Sequence, residues 1–185
     1  MSATVILLGP PGCGKGTQAM RLRDRSGYAL VATGDLLREA RASGTDLGRR
    51  AAAFMDRGVL VPDELIIAMV GEAVAALDAE RVVLDGVPRT VPQAVELDAL
   101  ARAHARELTA AILIDVPDDE VVRRIAGRRQ GRTDDTPETA RERLRVYHRE
   151  TEPLVRYYEA RGLLRRVDGA RDADSVEDGV RAALE

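Results

Sequence analysis

Short apolar runs alternate along the chain with longer stretches in which apolar and charged residues recur at helical spacing. Thr4-Val5-Ile6-Leu7-Leu8 is one such run, uncharged and rich in β-branched residues, and Gly9-Pro10-Pro11-Gly12 ends it. That pattern predicts a buried central strand followed by a turn. Runs at Ala29 to Ala32, Val82 to Leu84, Ala110 to Val116 and Leu163 to Val167 predict four further strands. Gln18 to Arg25 sets Ala19 and Leu22 on one side of a helix and arginines on the other, and Ser26-Gly27 stops it. Strands alternating with helices specify βαβ units, so the expected class is α/β, a parallel five-stranded sheet flanked by helices.

One interval is too long for a plain crossover. From about Thr33 to Pro62 run two short helical patterns, Leu36 to Ala42 and Leu47 to Asp56, joined at Ser43-Gly44, although Glu64 to Leu77 already supplies a crossover helix. A helical pair inserted there is expected over the carboxyl ends of the strands, where open α/β sheets bind ligands. Later helices carry start signals: Pro92 after Thr90-Val91, Asp118-Asp119 after Pro117, and Pro137 behind a Thr136 cap.

Composition narrows the class. A chain of 185 residues, 45% apolar, is long enough for one domain with a proper core. The longest strongly apolar run, Leu65 to Val70, falls far short of the roughly 20 residues of a membrane span, and no charged start followed by an apolar stretch reads as a signal peptide. A cytoplasmic protein without a membrane partner is expected. Cys13 alone with His104 and His148 excludes a disulfide scaffold and a structural zinc module, and a net charge of −3 argues against a general nucleic-acid binder. Among the 28 basic residues Lys15 is the one lysine. A compact ammonium on a flexible stem fits between phosphates where a guanidinium does not, which marks Lys15 as a candidate for chemistry.

Lys15 stands in Gly9-Pro10-Pro11-Gly12-Cys13-Gly14-Lys15-Gly16-Thr17, between a predicted strand and a predicted helix. That is the setting of a phosphate-binding loop: successive backbone N–H groups form an anion nest, and the helix aims its positive end at the same place. The usual hydroxyl after the lysine is absent, since Gly16 holds that position and Thr17 follows. Further along, residues 123–149 hold nine arginines against four acids, an excess of positive charge in an acidic chain. Phosphoryl transfer calls for that endowment, because the protein acts by positioning and by neutralising charge on the migrating group.

These motifs together resemble the adenylate kinase family. The G-K-G-T form of the loop is similar to that of nucleoside monophosphate kinases. Thr33-Gly34-Asp35-Leu36-Leu37-Arg38 resembles the family's T-G-[DE]-x-x-R segment, Gly58-Val59-Leu60-Val61-Pro62-Asp63 its G-x-L-V-P-D segment, and Asp85-Gly86-Val87-Pro88-Arg89-Thr90 with Gln93 its D-G-[FY]-P-R-x-x-x-Q segment. Gly127-Arg128-Arg129, Arg132-Thr133-Asp134-Asp135 and Arg141-Glu142-Arg143 extend the resemblance over nearly the whole chain. It implies a P-loop NTPase-type fold in a single domain, 1–185. The core would comprise 1–32, 63–128 and 136–185, with a nucleoside-monophosphate-binding insert at 33–62 and a short lid at 129–135.

The resemblance implies a Mg²⁺-dependent, reversible transfer of a phosphoryl group from ATP to AMP giving two ADP, by a monomer serving purine nucleotide balance. Gly12, Cys13, Gly14, Lys15, Gly16 and Thr17 would cradle the ATP phosphates, Arg124 would stack on the ATP adenine, and Arg171 lies where the family offers backbone to that base. Arg38 and Arg89 would clamp the AMP phosphate, and Arg128, Arg132 and Arg143 would close on the phosphates of both nucleotides. Lys15, Arg89, Arg128, Arg132 and Arg143 are thus the implied catalytic set. Thr33 and Gln93 would meet the AMP base, with Val59, Leu60, Val61, Gly86, Val87 and Pro88 around it, and Asp85 would hold Mg²⁺ through water.

The sequence departs from the family pattern at Val87, where Phe or Tyr is usual, and at Cys13, where Ala or Ser is usual. The lid is of the short kind, without room for metal-ligand cysteines. Two alternatives stay open: a kinase of the same fold acting on CMP, UMP or another small acceptor, and a P-loop nucleotide switch or accessory NTPase. Thr33 and Gln93 favour AMP, and a switch would have no use for the second phosphate site that Arg38 and Arg89 imply.

Overall fold

The computed structural model describes residues 3–57, 59–127 and 137–185. Five parallel strands, β1 (Ala3–Leu8), β2 (Ala29–Ala32), β3 (Arg81–Asp85), β4 (Glu107–Asp115) and β5 (Leu164–Asp168), form one sheet in the order β2-β3-β1-β4-β5. Successive strand residues point to opposite faces, and both faces are covered. Val5 and Leu7 pack with Val83, Ile112 and Ile114 against α1 (Lys15–Ser26), α6 (Asp118–Ala126) and α9 (Ala173–Ala182). Ile6 and Leu8 pack with Val82, Leu84 and Ala111 against α4 (Asp63–Ala75), α5 (Val91–Ala103) and α8 (Pro153–Glu159). Two covered faces are the physical reason the central strands read as continuous apolar runs.

β4 begins three residues before its apolar run. Glu107, Leu108 and Thr109 precede the buried stretch, Glu107 and Thr109 are exposed, and a register shift at Thr4/Val5 lets them continue the pairing with β1. The Thr109 hydroxyl donates to the Thr4 carbonyl at 3.2 Å. α1 ends as its glycine predicts: Gly27 takes φ +68°, and the Tyr28 N–H closes on the Leu22 carbonyl at 3.2 Å.

β2 runs straight into α2 (Thr33–Ala42), which doubles back as α3 (Asp46–Met55). Thr45 makes the corner, accepting the Gly48 N–H at 3.1 Å and donating its hydroxyl to the Ala40 carbonyl at 3.0 Å. Gly48 is where the two helices touch: a Cβ there would stand 2.1 Å from the Ala40 carbonyl oxygen. Leu37 and Ala51 bury the inner side of this pair in the same core as α4 and α5, and Val61 after α3 joins them.

After α7 (Pro137–Val146) the helix does not continue regularly. Pro153 has no N–H to give, and in an α-helix its ring would crowd the Arg149 carbonyl. The chain answers with a π turn over Tyr147–Thr151, in which the Glu152 N–H reaches the Tyr147 carbonyl at 2.9 Å, before α8 resumes. The expected lid, Arg128, Arg132 and the Thr136 cap lie outside the described residues. Among those that are described, no helix is long and apolar enough to cross a membrane.

Topology now places a crevice. β1 leads through α1 to β2 on one side, whereas its neighbour β3 leads through α5 to β4 on the other. Connections that diverge from adjacent strands leave an opening at their carboxyl ends. The loops that leave there are Gly9 to Gly14 and Gly86 to Thr90.

Candidate active site

The loop after β1 is shaped by steric demands that only glycine meets. Gly12 takes φ +82° and Gly14 φ +104°, and a Cβ on Gly9 would stand 2.5 Å from the Ile114 carbonyl oxygen and 2.7 Å from Cys13 Sγ. The Cys13 side chain fills this space and is 2% exposed. Lys15 opens α1 and turns its ammonium back over the loop, donating to the Gly9 carbonyl at 2.7 Å and the Pro10 carbonyl at 2.8 Å, with Cys13 Sγ at 3.5 Å. No acidic side chain lies in the first turn of α1, and Gly16 and Thr17 are exposed there. The positive end of the helix therefore has no acidic side chain of its own first turn to offset it.

β3 delivers Asp85 to the same place, its Oδ2 3.5 Å from where a Gly16 Cβ would stand. The next residue, Gly86, is a meeting point. It takes φ +85°, and a Cβ on it would lie 2.4 Å from the Thr33 hydroxyl and 3.2 Å from Arg89 Nη2. Thr33, buried at the start of α2, donates to the Asp85 carbonyl at 3.3 Å, and Arg89 Nε donates to the Gly86 carbonyl at 2.8 Å. The fold thus gathers Thr33, Asp85, Gly86 and Arg89 beside the phosphate loop. Arg38, one turn into α2, lays its guanidinium over Gly34 and pairs with Asp35.

Gln93 is buried, and both ends of its amide are engaged: Oε1 accepts the Arg89 N–H at 2.7 Å, and Nε2 donates to Asp63 Oδ1 at 2.7 Å. Thr90 caps α5 by accepting the Gln93 N–H at 3.2 Å and donates its own hydroxyl to Asp63 Oδ2 at 2.8 Å. Asp63 ties the start of α4 to the start of α5, a role hidden in the sequence because an acid in the first turn of α4 reads as ordinary helix-end chemistry. Val87, which departs from the family pattern, is fully buried in the core beneath α4 and α5. Val59, Leu60 and Val61 line a cleft of about 480 Å³ whose other wall is Val146, Arg149 and Glu150 of the helical arm.

A profile of the adenylate kinase family matches residues 7–163, a span that includes both loops, the α2–α3 pair and the helical arm. The chain belongs to the adenylate kinase family. The adenylate kinase of Thermus thermophilus is 52% identical over 182 residues, covering 97% of this chain and 96% of that protein. Those of Stenotrophomonas maltophilia (46% over 183 residues) and Archaeoglobus fulgidus (42% over 211 residues) also match nearly end to end, covering 97% and 98% of this chain and 98% and 97% of the relatives.

The remaining site candidates of this adenylate kinase family chain stand on other elements. Arg124 sits on α6 and pairs with Glu120 at 2.6 Å, Arg143 is half-buried on α7, and Arg171 is exposed just before α9. His148, in the π turn, bridges Asp118 at the start of α6 (2.9 Å) and Glu152 (3.1 Å). Partial burial pulls its pKa down, but the two carboxylates outweigh that, and the net effect is a raised value. Tyr147 beside it is held neutral, burial being the main cause and neighbouring acids adding to it.

Proposed function

We propose that the chain catalyses reversible phosphoryl transfer between ATP and AMP, giving two ADP, as a cytoplasmic monomer that serves purine nucleotide balance. What supports this reading is that two anion-seeking groups stand on the loops that leave the carboxyl ends of adjacent strands. The phosphate loop with Lys15 follows β1, and Arg89 follows β3, with Thr33 against the intervening Gly86. One such group suffices for a nucleotide switch, whereas two describe a donor and an acceptor.

In this reading Gly12 to Thr17 hold the ATP phosphates, and the Lys15 ammonium moves from the loop carbonyls onto the phosphates. Arg38 and Arg89 hold the AMP phosphate, and Arg128, Arg132 and Arg143 neutralise charge on the group in transit. Arg124 and Arg171 meet the ATP base, while Thr33, Gln93 and residues 59–61 and 86–88 surround the AMP base. Residues 33–62 act as the acceptor-binding insert and 129–135 as the lid, and their closure excludes water so that ATP is not hydrolysed. The donor set fits magnesium: a single carboxylate, Asp85, beside the positive end of α1 suits a hard, hydrated cation shared with the nucleotide phosphates. When bound, the ion neutralises phosphate charge.

A ³¹P NMR time course with Mg-ATP and, separately, AMP, CMP, UMP, GMP or no acceptor tests the reading. ADP forming fast with AMP alone, and lost in Lys15→Ala, is the expected result. Fast turnover with CMP or UMP reassigns the acceptor, and acceptor-independent hydrolysis overturns the transfer reading in favour of a switch.

A further inference from the structure

Arg89 is held by its backbone as well as by its side chain. Its N–H is accepted by Gln93 Oε1 at 2.7 Å, and its carbonyl accepts the Thr151 hydroxyl at 2.8 Å. Gln93 is a local partner on the same connection. Thr151 is not: it comes from 62 positions along the chain, on the arm whose earlier part, α7, carries Arg143.

Thr151 reaches Arg89 because the helix is irregular there. A threonine inside an α-helix commonly turns its hydroxyl back onto the carbonyl four residues earlier. Here that carbonyl, on Tyr147, takes the Glu152 N–H of the π turn, and the Thr151 hydroxyl points across to the next element. One extra residue in a helical turn rotates all that follows by about 100° relative to a regular helix. Pro153 thus sets which residue of the arm faces Arg89. Thr151 is 9% exposed, and valine would fill the same volume, so the hydroxyl rather than the packing is what the position uses.

We propose that Thr151 is a positioning residue for Arg89: it fixes the peptide from which the acceptor-side guanidinium projects and ties that peptide to the arm bearing Arg143. The proposal rests on the reading of Arg89 as an acceptor-phosphate arginine. With both peptide groups bonded, the backbone at 89 cannot rotate, and the guanidinium starts from one place and direction. Without the Thr151 bond the Arg89 carbonyl loses its tie to the arm, and acceptor binding weakens while the donor loop, which Thr151 does not touch, is unaffected.

The test compares wild type, Thr151→Ser and Thr151→Ala, with Thr151→Val as the isosteric control. KM for each nucleotide, kcat, and the calorimetric Kd for AMP alone are measured on protein whose circular dichroism matches wild type. Ser and Ala differ by the hydroxyl alone, so the comparison survives even if the valine variant does not fold. One hydrogen bond corresponds to a rise of roughly three- to tenfold in KM and Kd for AMP in Ala and Val, with KM for ATP within twofold and Ser near wild type. An unchanged KM for AMP, an equal rise for ATP, or Ser behaving as Ala overturns the proposal and leaves phosphotransfer standing. A wild type that phosphorylates no nucleoside monophosphate overturns both.

Discussion

Replacing Gly86 by alanine probes the joint at which the acceptor-side residues meet. The new Cβ would stand 2.4 Å from the Thr33 hydroxyl, and the backbone would hold an L residue at φ +85°. The left-handed conformation alone costs about 1–2 kcal/mol. Relief of the clash requires Thr33 to turn away and give up its bond to the Asp85 carbonyl (3.3 Å), worth about 1 kcal/mol. Arg89 Nη2 at 3.2 Å is the end of a flexible side chain and adds little to the stability cost. The sum is about 2–3 kcal/mol, or a fall in Tm of roughly 4–12 °C for a domain of this size. Urea denaturation of Gly86→Ala in two backgrounds separates the two contributions. In Thr33→Ala the hydroxyl is gone and the Thr33 Cβ lies at an ordinary 3.8 Å, so only the conformational part of the Gly86→Ala cost should remain. The double-mutant cycle should therefore show a coupling of about 1 kcal/mol. Equal costs in the two backgrounds would refute the steric argument, and a total cost below about 1 kcal/mol would refute the whole account.

Gly48→Ala forces α3 off the Ala40 carbonyl, 2.1 Å from the added Cβ, and should cost about 1–3 kcal/mol while raising KM for the acceptor more than for ATP. Steady-state kinetics beside thermal melts check it, and equal changes in both constants would count against an acceptor role for this helix pair. Glu177 on α9 is buried and accepts from Arg21 at 2.8 Å and Arg25 at 2.6 Å on α1, so Glu177→Gln should lose about 2 kcal/mol in urea denaturation. Less than about 0.5 kcal/mol would mean that the clamp between the helices contributes nothing beyond packing. The raised pKa of His148 means that its ion pairs stabilise the fold fully below about pH 6.5 and lose that effect as pH rises through the folded value. The Tm gap between wild type and His148→Gln should be widest near about pH 6 and narrow as pH rises above that, and a gap independent of pH would refute the assignment.

Some of this chain is local information. The central apolar runs are strands because each lies between two covered faces, whereas the edge strand β5 leaves Arg165 and Arg166 exposed. Thr90 and Thr45 cap helices through bonds to N–H groups three residues on, and Gly27 stops α1 where the sequence stops being helical. The phosphate loop is legible for the same reason: its shape depends on glycines and a lysine within a few positions of one another. Glu107 to Thr109 escaped this kind of reading, because they extend β4 with exposed polar side chains and are strand only through their partner β1.

What the tertiary structure alone decided are the contacts between residues distant in sequence. No periodicity places β1 between β3 and β4, nor brings Thr33 within a hydroxyl's width of Gly86. Gln93 has its amide turned to Asp63 and the Arg89 N–H, and Thr151 faces the Arg89 carbonyl, because directional bonds between elements select those orientations after the core has assembled. Pro153 bars a regular helix through the arm, but does not say where the displaced turn points. Periodic patterns encode which side of an element is buried. Which element it is buried against, and which hydrogen-bond partner waits there, is fixed only when the whole sheet and its helices close together.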